Sequence, residues 1–367
     1  MKIKHRDEVL TINPYIPGKP IDQVQEEFGL TDIIKLASNE NPLGASPRAR
    51  QAMVKQVESA HIYPDGNCNV LKEGLAQHLD IAKEQLIIGN GSDEVLKFIG
   101  ETFLQPDDEV IMADPTFSEY QFVSRLMGAK ERLVPLQNDR HDLSEMARHL
   151  NERTKVIFIC NPNNPTGTIV TQDELVAFLQ DVPNDVLVVI DEAYYEYVTD
   201  TAYPASIPLL AKYSNVIITR TFSKVYGLAA LRIGYGIARQ EIISLLERTR
   251  EPFNVNSMAQ VAAVASLLDP AHVVQSTDLC EQGKSYLYDQ FKRLEISYIP
   301  TEANFILFDT GQDAFAVFNQ LLKRGVIVRS AHVFGMPTFI RVTVGTHDQN
   351  RRFITALEEV LADEDSY

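Results

Sequence analysis

The chain has 367 residues, enough for two domains, and its 45% hydrophobic and 23% charged content is typical of a globular protein. The 50 acidic against 34 basic residues give a net charge of −16, which argues against nucleic-acid and anionic-membrane partners. The three cysteines are too few and too scattered for a disulfide framework or a zinc site. The first residues lack the apolar core of a secretory signal peptide. These features predict a cytoplasmic protein.

The chain divides into three regions that differ in composition and in the pattern of their apolar residues. Residues 1–35, rich in proline and with a short amphipathic piece near 21–28, are predicted to form an N-terminal arm. Residues 36–253 alternate helical segments with short runs that are apolar throughout, as in a mostly parallel sheet covered by helices. These runs, which predict strands of a large domain, are 86–88, 110–112, 156–159, 186–190 and 216–218.

After residue 253 the alternation of helical segments with fully apolar runs ends. An alanine-rich helical region at 256–292 comes first, and a helix is predicted at 312–323. Strand-like runs occur at 306–308, 326–329 and 339–343. Residues 254–367 are therefore predicted to form a smaller α+β domain.

Lys224 stands in an unusual setting for a lysine. It follows the apolar run 216–218 and precedes small residues, where a buried strand passes into a turn. Burial lowers the pKa of an amine and makes it available as a nucleophile or a Schiff-base partner. The alternative is a surface lysine whose stem covers apolar neighbours.

Other chemistry-bearing residues also follow the apolar runs, where ligands of an open parallel sheet bind. Small residues at Gly91, Ser92 and Asp93 expose backbone N–H groups at a helix start, which suits a phosphate. One alternative for this segment is a plain helix N-cap. Another is a dinucleotide-binding fingerprint, but Val95 occupies the place of its closing glycine.

Three further runs end in polar or aromatic side chains. Asn164 lies in a loop fixed by two prolines, Asp191 and Tyr194 follow the run 186–190, and Phe117 follows 110–112. A phosphate cradle, a carboxylate, a phenol, an amide, a ring and a lysine together describe pyridoxal 5′-phosphate. A carboxylate against its pyridine nitrogen keeps the ring protonated as an electron sink.

The order and spacing of these motifs resemble the fold-type-I pyridoxal-phosphate-dependent aminotransferases over nearly the whole chain. The resemblance implies an α/β fold, with a large domain whose mostly parallel sheet lies between helices and a smaller α+β C-terminal domain. Within the family, the pattern is most similar to the branch that acts on histidinol phosphate. The motifs are Asn39-Glu40-Asn41-Pro42, Asp114-Pro115-Thr116-Phe117, Asn161-Pro162-Asn163-Asn164-Pro165-Thr166-Gly167, Asp191-Glu192-Ala193-Tyr194 and Ser223-Lys224 with Arg232.

The resemblance implies a role for each cofactor-site residue. Lys224 would be the Schiff-base lysine and proton shuttle, and Asp191 would pair with the pyridine nitrogen. Tyr194 and Asn164 would hold the phenolic oxygen, and Phe117, where the family often has tyrosine, would stack on the ring. The implied phosphate ligands are Gly91, Ser92, Asp93, Ser223, Arg232 and, from the second subunit of a homodimer, Tyr63.

The resemblance also implies the substrate site. Arg341 would bind the carboxylate of glutamate in one half-reaction and the substrate phosphate in the other, assisted by Arg329, Tyr15 and Asn164. From the residues alone, an internal salt bridge of the two arginines is the alternative. The histidines, including His61, His141 and His332, show no metal-ligand spacing, so no metal site is predicted.

The predicted activity is amino transfer between L-histidinol phosphate and 2-oxoglutarate, in histidine biosynthesis. The alternatives are an aromatic amino-acid aminotransferase and, less favoured, a phosphothreonine decarboxylase of the same fold. A ligand-sensing domain of a transcription regulator would need a basic DNA-binding domain, and a dehydrogenase would need the missing glycine of the fingerprint.

Overall fold

The structure is a computed structural model that describes residues 3–12, 14 and 19–362. The α-helices of this part are α1 (Ile21–Phe28), α2 (Pro47–Gln56), α3 (Asn69–Leu79), α4 (Ser92–Phe103), α5 (Glu119–Leu126), α6 (Leu143–Arg148), α7 (Gln172–Asp181), α8 (Ser206–Lys212), α9 (Gln240–Leu246), α10 (Ser257–Leu267), α11 (Pro270–Arg293), α12 (Ala314–Lys323) and α13 (His347–Ala362). The strands are β1 (Ile34–Lys35), β2 (Leu86–Gly89), β3 (Glu109–Asp114), β4 (Lys130–Pro135), β5 (Thr154–Cys160), β6 (Leu187–Asp191), β7 (Val216–Thr221), β8 (Gly234–Ala238), β9 (Tyr298–Ile299), β10 (Phe305–Asp309), β11 (Val326–Ile327), β12 (Arg329–Ser330) and β13 (Phe339–Thr343).

A seven-stranded sheet in the order β2-β8-β7-β6-β5-β3-β4 forms the centre of the larger part of the molecule. β3 to β7 pair in parallel, and β8 runs antiparallel to both of its neighbours. Buried apolar clusters cover both faces of the sheet, which explains why its strands are apolar at successive positions. The predicted α/β class with a mostly parallel sheet is confirmed.

A four-stranded antiparallel sheet in the order β12-β13-β10-β9 lies in the C-terminal region. In addition, β1 pairs in parallel with β11, so Ile34–Lys35 at the end of the predicted arm join residues 326–327. Val24 of α1 packs in a small core with Leu322 and Ile327. The division into 1–35, 36–253 and 254–367 stays a prediction.

Three details of the fold were not specified by the sequence, two of them in the C-terminal region. The helical region 256–292 consists of α10 and α11, which break before Pro270, a residue that favours the first turn of a new helix. The run 326–329 divides between β11 and β12, which pair with different strands. The glycine-containing strand β8, which has a weak strand pattern, was not predicted.

The helices of the described residues were compared with the length and apolar composition that a membrane span requires. No single helix there is both long and apolar enough to cross a bilayer. Within the part of the chain that the structure describes, only α10 and α11 taken together reach the length and apolar composition of a membrane span, and they meet at an angle of 82°.

Candidate active site

The parallel strands bring residues from distant parts of the sequence to one edge of the sheet. Asp191 is the last residue of β6 and pairs in register with Cys160 of β5 and Thr219 of β7. Asn164 and Lys224 follow β5 and β7 within a few residues. Because parallel strands end at the same edge, these side chains share one region of the molecule.

Asp191 accepts a short hydrogen bond at one of its two carboxylate oxygens. Its Oδ2 accepts a hydrogen bond of 2.7 Å from the hydroxyl of Tyr120, whose ring stacks on Phe158 with centroids 4.6 Å apart. Its Oδ1 is buried and accepts no hydrogen bond from the described residues. Burial raises the pKa of Asp191 to about 6, and a cation beside Oδ1 would favour the ionised form.

Lys224 lies near Tyr194 and the chain segment before Pro42. Its Nζ donates a hydrogen bond of 3.3 Å to the carbonyl of Ser38 and lies 5.6 Å from the centre of the Tyr194 ring. Burial, followed by the positive charge of Arg341, lowers the pKa of Lys224 to about 8. A substantial fraction of this amine is therefore neutral near physiological pH.

Tyr194 is buried with its ring edge against Phe305, at a centroid distance of 5.2 Å. Its hydroxyl oxygen accepts a hydrogen bond of 2.8 Å from Nδ2 of Asn39. Burial raises the pKa of Tyr194, so the side chain is a neutral phenol that retains its own proton for donation.

The start of α4 lies beside the guanidinium of Arg232. Gly91 precedes the helix with φ of 85°, and a Cβ at this residue would lie 2.5 Å from Nη2 of Arg232. The same Nη2 donates to Oδ2 of Asp93 at 2.7 Å, and Ser223 is buried. A helix N-terminus beside a guanidinium is a site for an anion such as phosphate, although the Asp93 carboxylate offsets part of the charge of Arg232.

Arg341 and Arg329 lie directly opposite each other on the antiparallel strands β13 and β12. Arg341 is buried, and it donates to Oδ1 of Asn164 at 2.5 Å and to the carbonyl of Ala37 at 2.9 Å. Its guanidinium also lies 5.2 Å from the ring centre of Phe305. Because Oδ1 of Asn164 already accepts from Arg341, the NH2 group of Asn164 is the part of the amide that faces other groups, and it can only donate.

The remaining predicted residues differ in position. Phe117 is partly buried, with its ring edge-on to Tyr120 at 5.6 Å. Tyr63 is 80% exposed and stacks on Phe253 at 4.8 Å, on the outside of the chain. Tyr15 lies outside the described residues. Sequence reasoning missed Tyr120, which lies inside α5 and reaches Asp191 only through the packing of that helix on the sheet.

The donor set fits pyridoxal 5′-phosphate on two independent observations. The buried Oδ1 of Asp191 suits a protonated ring nitrogen, and the α4 N-terminus with Arg232 suits a phosphate. Lys224 supplies an amine for an aldehyde. Across the described residues, no three His, Cys, Asp or Glu side chains group as ligands of a metal ion.

Comparisons with known proteins agree with this geometry. The family model "Aminotransferase class I and II" matches residues 31–357. A histidinol-phosphate aminotransferase of Moorella thermoacetica is 57% identical over 98% of this chain and 93% of its own length. The corresponding protein of Caldicellulosiruptor saccharolyticus is 49% identical over 97% of this chain and 99% of its own.

A solved structure extends the comparison to three dimensions. The histidinol-phosphate aminotransferase of Sinorhizobium meliloti in complex with pyridoxal-5′-phosphate superposes with a TM-score of 0.90. It is 25% identical and covers 98% of each chain. Taken with the match of the family model over residues 31–357, these findings show that the chain belongs to the class I and II aminotransferases.

Proposed function

We propose that this protein is a pyridoxal-phosphate-dependent enzyme that transfers an amino group between L-histidinol phosphate and 2-oxoglutarate, giving imidazole acetol phosphate and L-glutamate. The reaction belongs to the biosynthesis of L-histidine. The observation that carries the substrate assignment is the 57% identity to a histidinol-phosphate aminotransferase over 98% of the chain. The convergence of Lys224, Asp191 and an anion site supports the chemistry.

The cofactor phosphate is assigned to the start of α4. Backbone N–H groups of Gly91, Ser92 and Asp93 would donate to it, because the first turn of a helix leaves such groups unsatisfied. Ser223 and Arg232 would complete the cradle. Gly91 supports this role, since its lack of a Cβ keeps the space in front of Arg232 open.

The ring of the cofactor is assigned to the residues at the ends of β5, β6 and β3. Asp191 would receive the ring nitrogen at Oδ1 while Tyr120 holds Oδ2. Tyr194 and the NH2 of Asn164 would both donate to the phenolic oxygen, and Phe117 would cover one face.

Lys224 carries the catalytic proton in this proposal. Bound pyridoxal phosphate supplies an electron-withdrawing ring that accommodates the electrons released when a substrate loses its α proton. The neutral amine of Lys224, favoured by a pKa lowered to about 8, takes that proton and delivers one to the cofactor's C4′ carbon. The carbonyl of Ser38, 3.3 Å from Nζ, orients the amine.

Arg341 is assigned to the anionic group of each substrate, with help from Arg329, Asn164 and Tyr15. A planar guanidinium donates two parallel hydrogen bonds to either a carboxylate or a phosphate, so one group serves both half-reactions. Burial of Arg341 strengthens such a contact by excluding water. Arg329, opposite on β12, adds a second positive charge on the same strand pair.

An aromatic amino-acid aminotransferase is the second candidate. The guanidinium of Arg341 lies 5.2 Å from the ring of Phe305 and 5.9 Å from that of Phe334. Of these two rings Phe334 is only partly buried, and an aromatic surface beside the anion-binding group accommodates a phenyl ring as it does an imidazole.

A homodimer is part of the proposal. Five large apolar side chains between residues 54 and 70 are exposed, and Phe253 packs against one of them. Exposed apolar side chains of this kind suit contact with a second copy of the chain, which would bring Tyr63 to the partner's phosphate site. The five are Val54, Val57, Ile62, Tyr63 and Val70.

A reducing, cytoplasmic location is likewise proposed. Its support is that Cys68, Cys160 and Cys280 are all buried free thiols. Such cysteines are compatible with a compartment in which structural disulfides do not form.

Steady-state kinetics test the substrate assignment. The purified protein, with 2-oxoglutarate as acceptor, is given L-histidinol phosphate, phenylalanine or tyrosine, and glutamate formation is measured. We expect the highest kcat/KM on L-histidinol phosphate. Turnover of the aromatic amino acids without turnover of the phosphate ester would establish the second candidate instead, and carbon dioxide release from phosphothreonine would indicate the decarboxylase.

A further inference from the structure

We propose that Asn39 is a positioning residue that sets the direction in which the Tyr194 hydroxyl donates its proton. This inference rests on the proposed function, because it concerns the phenol assigned to the cofactor's oxygen. Asn39 lies far from Tyr194 in sequence, and its amide nitrogen donates to the Tyr194 oxygen at 2.8 Å.

The segment from Ala37 to Asn39 contacts two of the groups assigned to catalysis and substrate binding, Lys224 and Arg341. The carbonyl of Ala37 accepts from Arg341 at 2.9 Å, and that of Ser38 accepts from Lys224 at 3.3 Å. The carbonyl of Asn39 accepts from Nδ2 of Asn304 at 2.9 Å. Residues 37–39 therefore form a continuous support for the candidate site.

The backbone of Asn39 is held in an unfavourable conformation. Its φ of 57° lies in the left-handed region, and the residue is 1% exposed. Asparagine tolerates this region better than most residues, yet a buried residue keeps it only where its surroundings impose it. In this conformation the amide of Asn39 reaches the Tyr194 hydroxyl.

Thr343 fixes which end of the amide faces Tyr194. Its hydroxyl oxygen accepts from the backbone N–H of Asn39 at 2.9 Å and donates to Oδ1 of Asn39 at 3.3 Å. With Oδ1 occupied in this way, Nδ2 is the group that faces Tyr194. Thr343 lies two residues beyond Arg341 on the same strand, so both side chains point to one face of β13.

The consequence concerns the proton of the phenol. A hydroxyl that accepts from an amide directs its own O–H elsewhere, since the amide N–H cannot receive it. Tyr194, a neutral phenol because burial raises its pKa, thus donates to the cofactor's oxygen instead of to Asn39. A donor there stabilises the negative oxygen and lowers the pH at which the lysine-bound cofactor loses its proton.

The visible absorbance of the purified protein with bound pyridoxal phosphate reports that proton loss. We would titrate it from about pH 5 to about pH 10 in wild type, Asn39→Gly, Asn39→Asp and Tyr194→Phe. Glycine adopts a positive φ without strain, so Asn39→Gly removes the amide and keeps the backbone. We expect the midpoint to rise by roughly half a unit or more in Asn39→Gly, and further in Asn39→Asp, whose carboxylate accepts the phenol proton.

Two more variants keep the test decisive. Thr343→Val leaves Asn39 in place but removes the hydroxyl that orients its amide, and we expect a smaller rise of the midpoint. Asn215→Ala removes a different buried amide, before β7 at the opposite edge of the sheet, and we expect the wild-type midpoint.

The outcomes separate this inference from the proposed function. A wild-type midpoint in Asn39→Gly and in Thr343→Val, with a raised midpoint in Tyr194→Phe, would show that Asn39 is merely structural. A wild-type midpoint in Tyr194→Phe would overturn the placement of the cofactor oxygen at Tyr194 and this inference with it. Absence of any cofactor band in the wild type would overturn the proposed cofactor chemistry.

Discussion

Lys224 combines an amine with a setting that disfavours its charge. Burial lowers the pKa of this amine from its ordinary value of 10.5 to about 8, and the charge of Arg341 acts in the same direction. The lysine therefore reaches its reactive form within the physiological range, which an exposed lysine does not.

A pH dependence follows from this shift. Capture of pyridoxal phosphate by the apoprotein requires the neutral amine, so its rate should rise with pH and level off above about 8. At pH 6 the rate should be roughly 100-fold below the plateau, because each unit below the pKa reduces the neutral fraction about tenfold. Stopped-flow absorbance measures it, and a rate that does not change below pH 8 would contradict the assignment.

The same shift has a consequence for stability with a definite sign. The unfolded chain binds the Lys224 proton up to its ordinary pKa of 10.5, whereas the folded apoprotein releases it near 8. Between these values the unfolded state binds more protons, so this residue makes the apoprotein more stable as pH rises. A Lys224→Met variant would lack that contribution in a denaturation series.

The sequence identified site residues that follow strands and missed one that lies inside a helix. Lys224, Asp191 and Asn164 follow apolar strands, so the rule that ligands bind at strand ends identifies them. Tyr120 lies inside α5, where its spacing is that of any buried helical aromatic. Its bond to Asp191 depends on how α5 packs against the sheet, which no local pattern specifies.

At the scale of elements, the N-terminus of α4 is the part of the fold proposed to bind the cofactor phosphate. The helix begins at Ser92 after a glycine in the left-handed region, and its first turn faces Arg232. The sequence indicated this strand, turn and helix from the glycine-rich turn after residue 88. It did not indicate β8, whose Gly234 permits a backbone approach in which a Cβ would lie 2.4 Å from the Ser92 nitrogen.

A Gly91→Ala variant tests the cradle. The new Cβ would lie 2.5 Å from Nη2 of Arg232, so the guanidinium must shift from its position in the proposed phosphate cradle. We expect the affinity for pyridoxal phosphate to fall about tenfold or more, since a charged hydrogen bond contributes roughly 1.5–3 kcal/mol. Equilibrium dialysis gives the dissociation constant.

Gly311→Ala is the matched control for that variant. Gly311 also has a positive φ, of 68°, but a Cβ there would have no heavy atom within 4 Å. Its replacement introduces the same kind of backbone strain without touching the cradle. Equal losses of cofactor affinity in both variants would assign the effect of Gly91→Ala to general destabilisation.

At the scale of the whole molecule, Tyr63 is the residue through which the proposed homodimer would complete each site. Tyr63 is 80% exposed and stacked on Phe253, and the segment 54–70 that contains it has four more exposed large apolar residues. In the proposed homodimer this residue binds the phosphate of the opposite subunit. Sequence alone suggested this arrangement only through the family resemblance.

Mixed dimers test whether Tyr63 acts across the interface. Tyr63→Ala and Lys224→Ala variants, each of low activity at limiting cofactor, are unfolded together and refolded as a mixture. Random pairing makes about half of the dimers mixed, each with one intact site, so about one quarter of wild-type activity should return. If Tyr63 acted within its own chain, mixing would restore no activity.

The claim on which the whole account depends is that residues from four strand ends and one helix start form a cofactor site around Lys224. Reduction of the protein with bound pyridoxal phosphate by borohydride, followed by peptide mapping, tests it most directly. We expect a single stable label on Lys224 and its loss in a Lys224→Ala variant. Label on a different lysine, or no label after saturation with the cofactor, would contradict the account.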